Sequence, residues 1–139
     1  AQPDMFAMGP TFRARPDIGR LLAGTPGILG LVAAQAGIEV TGEAGIDAIR
    51  TKSIDLGRFA LDCCDTLGLG SATPRDDARR GGHVCVNHPE ARRIVPALAA
   101  DRSVLADFRE PDVIRLGLSP LTTRFSDVAR ATIAISELV

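Results

Sequence analysis

Residues 83–100 read HVCVNHPEARRIVPALAA, and the hydrophobic period changes halfway along them. In His83–Asn87, Val84 and Val86 alternate with His83, Cys85 and Asn87, the two-residue period of a strand. His88-Pro89 ends that run, because proline brings no N–H to a ladder and restricts the residue before it. From Glu90 to Ala100, Ile94, Val95 and Leu98 recur at helical spacing and predict a helix with those side chains inward.

Reading outward toward the C-terminus, Val104 to Phe108 is a short strand candidate. Arg109-Glu110-Pro111-Asp112 make a charged turn. Val113 to Leu118 alternates again, with Ile114, Leu116 and Leu118 set against Val113, Arg115 and Gly117, so the two strands read as a hairpin. After Pro120, Phe125, Val128, Thr132, Ile135 and Val139 mark a last amphipathic helix, with Ser126 as its expected cap. Toward the N-terminus, Gly68 to Gly82 reads as loop with a short strand near Ala72. Ile46, Ile49, Ser53, Leu56, Ala60 and Cys63 predict an amphipathic helix of about five turns. Before it, Gly24-Thr25-Pro26 and the apolar positions Ile28 to Ala36 predict a helix starting at Thr25 or Pro26, broken near Gly42–Gly45. Helix, helix, strand, helix, hairpin, helix is the order of an α+β two-layer sandwich, a small antiparallel sheet with helices on one face. Residues 1–20, with Pro3, Pro10 and Pro16, read as an extended arm that needs another surface to lie on, and residues 21–139 as the domain proper.

Composition narrows the function. The 139 residues are 45% hydrophobic and 24% charged, enough for one domain with a real core. Sixteen basic and seventeen acidic residues leave a formal charge of −1, so no overall field recruits nucleic acid or an anionic membrane, and neither is expected as a partner. No apolar stretch approaches the roughly 20 residues of a membrane span, and no leader is expected. Three cysteines, two of them adjacent at Cys63 and Cys64, fit reduced thiols and a cytoplasmic location. The chain opens on Ala1, which reads as the tail end of something larger.

Two groups invite anions. Gly24-Thr25-Pro26 precedes a helix, whose first N–H groups and positive dipole end suit phosphate or carboxylate; the competing reading is that Thr25 only caps the helix. Arg115 occupies a strand position read as inward, where its fork would clamp a carboxylate. The alternative is a solvated strand face, or pairing with Asp107 or Glu110 across the hairpin. His83, Cys85 and His88 share soft donor chemistry but match no closed metal pattern, so no metal is expected. Cys63 and Cys64 read as core filler, and Lys52, the single lysine, as a hydrated charge beside Arg50 and Arg58. Arg75-Asp76-Asp77 and Arg79-Arg80 read as a solvated, mixed-sign loop.

At these residues the chain resembles kynureninase, a family of pyridoxal-phosphate hydrolases with the aspartate-aminotransferase-like fold. The matching stretches are Gly24-Thr25-Pro26 with Ile28, Arg50-Thr51-Lys52-Ser53, Thr73-Pro74-Arg75 with Arg80-Gly81, His83-Val84 leading to His88-Pro89-Glu90, Asp107-Phe108-Arg109-Glu110-Pro111, Ile114-Arg115-Leu116-Gly117 with Pro120-Leu121, and Phe125 with Asp127-Val128. The resemblance covers nearly the whole chain but about the last third of such an enzyme, and implies its C-terminal small domain. It implies that Gly24 and Thr25 reach the pyridoxal 5'-phosphate phosphate of the partner subunit in a homodimer. It also implies that Arg115 binds the α-carboxylate of the amino-acid substrate, and that the reaction yields anthranilate, or 3-hydroxyanthranilate, and L-alanine. The catalytic residues, including the cofactor-linking lysine, are expected in the large domain, with none on this chain. Gly27 stands where a second proline or bulkier residue is usual, Ser103 and Ala106 replace glycines, and Thr122 replaces an aromatic. Readings outside an enzyme are a stand-alone small-acid-binding or regulatory module and a non-catalytic partner subunit.

Overall fold

The computed structural model describes residues 1–4 and 6–139. Its contacts divide the chain into two compact units, 1–43 and 44–139.

In the first unit the chain turns back on itself. The Ala1 amino group donates to the carbonyls of Gly19 and Arg20, at 3.1 and 2.7 Å, and Arg15 N–H donates to the Ala1 carbonyl. Asp17 accepts from Gly19 N–H at the start of a 3-10 turn, Ile18–Leu21. Helix α1 spans Ile28–Ala44, not beginning at Thr25 or Pro26 as its sequence predicts. Its first backbone hydrogen bond runs from Leu31 N–H to the Gly27 carbonyl, which puts Gly27 at the cap and leaves Thr25 two residues short of it. Gly42 does not end the helix. The break comes at Gly45, whose φ of 75° is a conformation that glycine adopts without a Cβ clash.

The second unit contains the sheet and its helices. Helix α2, Ile46–Thr66, and helix α3, Ala91–Arg102, pack on one face of a four-stranded antiparallel sheet, and helix α4, Phe125–Leu138, packs against both. The strands are β1 Gly70–Ser71, β2 His83–Asn87, β3 Asp107–Arg109 and β4 Val113–Gly117, in the order β1-β2-β4-β3. The register pairs Val84 with Leu116 and Val86 with Ile114, and these four side chains meet Leu56, Ala60, Ile94, Leu98, Val128 and Ile135 in the core. The predicted strand near Ala72 is shorter and ends at Ser71. The one read from Val104 begins at Asp107, because Val104 is spent on the core under the end of α3. Phe59 and Phe125 meet edge to face at 5.4 Å, tying α2 to α4.

Two caps differ from expectation. Helix α4 is capped two residues earlier than Ser126, where Arg124 N–H donates to the Asp127 carboxylate at 3.0 Å. Helix α3 ends at Ser103 in the left-handed region, with φ 53° and ψ 37°. That is the conformation in which glycine ends helices, and a side chain there is strained. Ser103→Gly is expected to raise the unfolding free energy by about 0.5 kcal/mol, the released strain exceeding the entropy cost of glycine. Urea denaturation checks it, and a loss of stability would show that Ser103 carries no strain.

Candidate functional site

Arg115 sits in the middle of β4, but not on the side expected. Ile114 and Leu116 take the buried face, so the two-residue pleat turns Arg115 to the face away from the helices, where its side chain is 36% exposed. The register places it between Cys85 on β2 and Asp107 on β3. Its Nη2 donates to Asp107 Oδ2, the cross-strand pairing that the sequence left open. Glu110, the other candidate partner, pairs instead with Arg92, whose guanidinium lies 4.8 Å from the Phe108 ring centre. Asp107 Oδ2 also accepts from Arg109 Nη2 at 2.7 Å. Among the described residues, Arg115 Nε and Nη1 donate to nothing, so one edge of the fork stays open for a second acceptor.

Beside this face, β2 is held at Cys85 by side chains. Cys85 N–H donates to Thr73 Oγ1 and the Cys85 carbonyl accepts from Ser71 Oγ, both at 2.7 Å. These bonds continue the sheet edge where β1 has already ended. The loop that carries Thr73 is fixed further on by Arg80, whose reading as a solvated charge the structure overturns. Its side chain is 2% exposed and donates to the carbonyls of Pro74 and Arg75 and to Asp77 Oδ1. Arg50, from α2, donates to the carbonyls of Arg80 and Asp77, and Arg58 pairs with the Asp77 carboxylate. A buried guanidinium is tolerable only with its donors satisfied, and here loop carbonyls and one carboxylate satisfy them. Gly57 was the signal available in the sequence. On the inward stripe of α2 a side chain is expected, and an added Cβ there would stand 2.8 Å from Arg80 Nε.

Two outcomes follow from this clip. Gly57→Ala should destabilise the fold by about 1–2 kcal/mol despite the better helix propensity of alanine, because a pinned arginine cannot give way. A gain in chemical-denaturation stability would mean that the loop yields freely. The second concerns acid. The Arg58 guanidinium, with Arg80 behind it, holds the Asp77 carboxyl below the ordinary carboxylate range. A lowered folded pKa gives stability that is present above the unfolded value of about 4 and lost as pH falls through the folded one. Asp77→Asn should be less stable at pH 7, with its deficit shrinking below about pH 4. A pH series of thermal melts tests this, and a pH-independent deficit contradicts it.

The other residues singled out from sequence do not converge. Gly24, Thr25 and Pro26 are exposed and line a hollow in the first unit with Phe12 and Leu22. Nothing approaches within 4 Å of where a Cβ on Gly24 would be, and among the described residues the Thr25 hydroxyl has no hydrogen-bond partner. The N–H groups of Ile28, Leu29 and Gly30 precede the first bond of α1, and its first turn holds no acidic residue. Cys64 is the core thiol, pushed up to about 11 chiefly by burial, whereas Cys63 is half-buried at the α2 surface. A thiol so protonated is a poor nucleophile. His83 is exposed, Cys85 half-buried beside Arg115, and His88 Nδ1 accepts from Glu90 N–H in the turn. Among the described residues no helix is long and apolar enough to cross a membrane.

Residues 49–135, which contain the sheet, the Arg80 clip and Arg115, match the kynureninase C-terminal domain family. Over 138 residues, 96% of the chain, it is 35% identical to a kynureninase of Pseudomonas fluorescens. It is 34% identical over the same coverage to kynureninases of Burkholderia mallei strain SAVP1 and Burkholderia pseudomallei strain K96243. The chain spans 33% of the length of each of these relatives.

Proposed function

The chain belongs to the kynureninase family, and on that premise we propose that it forms the C-terminal part of a pyridoxal-phosphate-dependent hydrolase. The proposed reaction cleaves L-kynurenine, or its 3-hydroxy form, to anthranilate or 3-hydroxyanthranilate and L-alanine, in tryptophan catabolism. The complete enzyme is proposed as a cytoplasmic homodimer in which residues 1–20 pack on a large domain that carries the catalytic groups. On this reading, this chain contributes binding groups and no catalytic residue.

The observation that carries the reading is the half-used fork of Arg115. A carboxylate takes two parallel hydrogen bonds from one guanidinium edge, and Nη2, which spends one N–H on Asp107, offers such an edge with Nε or Nη1 through its second N–H on the open face of the sheet. Bound there, the α-carboxylate would fix one end of the substrate while the side-chain ketone remains free to turn toward the reacting groups. The rigid β2–β4 pairing beneath Arg115 sets where that end lies.

The cofactor's phosphate has a fitting set of donors. The Thr25 hydroxyl, the open backbone at Gly24 and the N–H groups that precede the first bond of α1 together suit a dianionic phosphate, and the first turn of α1 holds no acidic side chain to oppose it. On the homodimer reading, these groups serve the cofactor of the partner subunit. When bound, the cofactor supplies an electron sink for the negative charge that develops as the Cβ–Cγ bond of the substrate breaks.

Arg115→Ala in the complete enzyme should lower kcat/KM for L-kynurenine by about 10–100-fold, the worth of a charge-assisted pair, mostly through KM. Arg115→Lys should recover only part of the loss, because an ammonium cannot bind two oxygens in a plane. Steady-state kinetics decide it, and an Arg115→Ala enzyme with unaltered kinetics would sink the assignment.

A further inference from the structure

We propose that Asp107 is a positioning residue that aims Arg115 at the substrate, and that Arg109 acts on the substrate site only through Asp107. The inference rests on the reading of Arg115 as the carboxylate clamp and adds to it two residues of the same strand. Asp107 and Arg109 lie on β3, one pleat apart on the same open face, and the register sets Asp107 directly opposite Arg115. A single oxygen, Asp107 Oδ2, accepts from Arg115 Nη2 and from Arg109 Nη2.

This arrangement has three consequences for an incoming carboxylate. An arginine has several rotatable bonds, and on a half-exposed sheet face it would sample many directions; the charged contact at Nη2 restricts it and, among the described residues, leaves Nε and Nη1 without an acceptor. The same contact puts a negative charge beside the anion site, which by itself would oppose the substrate. Arg109 offsets that charge, so the trio carries a net +1, matched to one carboxylate. Arg109, 55% exposed in its side chain, is therefore tied to the site by Asp107 alone among the described residues.

Because Arg109 works through Asp107, the two substitutions should not add. In the complete enzyme, Asp107→Ala is expected to raise KM for L-kynurenine about 10-fold with kcat within about 2-fold of native. Arg109→Ala should raise KM about 3-fold in the native background and leave it unchanged when Asp107 is already alanine. Asp107→Asn keeps an acceptor without the charge, so its KM should fall between native and Asp107→Ala, and it serves if Asp107→Ala melts early. Additive effects of the two substitutions, or an unaltered or lower KM in Asp107→Ala and Asp107→Asn, would overturn the proposal. Arg115→Ala, run alongside, separates the failures. If it weakens kynurenine binding while the Asp107 variants do not, only the positioning role falls; if it leaves binding intact, the carboxylate clamp itself is wrong.

Discussion

The pairing of β2 with β4 is the constraint on which the rest of the molecule depends. Five consecutive residues of each strand face one another, from His83 opposite Gly117 to Asn87 opposite Val113. Because side chains alternate across a sheet, this one register sends Val84, Val86, Ile114 and Leu116 into the core and Cys85 and Arg115 to the opposite face. A slip of β4 by one residue would exchange its two faces, burying the Arg115 guanidinium among aliphatic side chains and exposing Ile114 and Leu116. The core and the candidate site are therefore specified by the same hydrogen bonds. Helices α2 and α3 cover one face and leave the face of Arg115 uncovered by them.

Around that pair the structure uses charge to do what a longer ladder would otherwise do. Strand β1 is only two residues long, and the backbone of Cys85 is held instead by Ser71 and Thr73, whose loop is in turn gripped by Arg80, Asp77, Arg50 and Arg58. On the other edge, β3 is three residues long and Asp107 ties it to β4 through Arg115. Short strands with charged edges also discourage pairing with other chains.

The secondary structure was legible wherever local period and burial agree. His83–Asn87 is a strand over the residues that its alternation predicts, and the hairpin, α2, α3 and α4 fall within a few residues of their expected places. The errors have physical causes. Thr25 looked like a cap because cap statistics favour threonine, but the first helical hydrogen bond reaches back only to Gly27. The inward reading of Arg115 fails because alternation with the buried Ile114 and Leu116 turns it to the other face. Arg80 lay hidden in a charge run, since nothing in a row of arginines and aspartates says which one will be swallowed. Its burial depends on Gly57, more than twenty residues away, and on carbonyls that a linear reading does not bring together. Period and spacing leave two readings of Arg115 open, and only the family resemblance points to a carboxylate.

The central claim is that the open edge of Arg115 receives the carboxylate of an amino-acid substrate. A crystal structure of the complete enzyme with a kynurenine analogue that cannot be cleaved would test it most directly. The account predicts the analogue's α-carboxylate in two parallel hydrogen bonds to Arg115, with oxygens about 2.8 Å from the guanidinium nitrogens and Asp107 still on Nη2. A carboxylate bound elsewhere, with Arg115 joined to Asp107 alone, would contradict it.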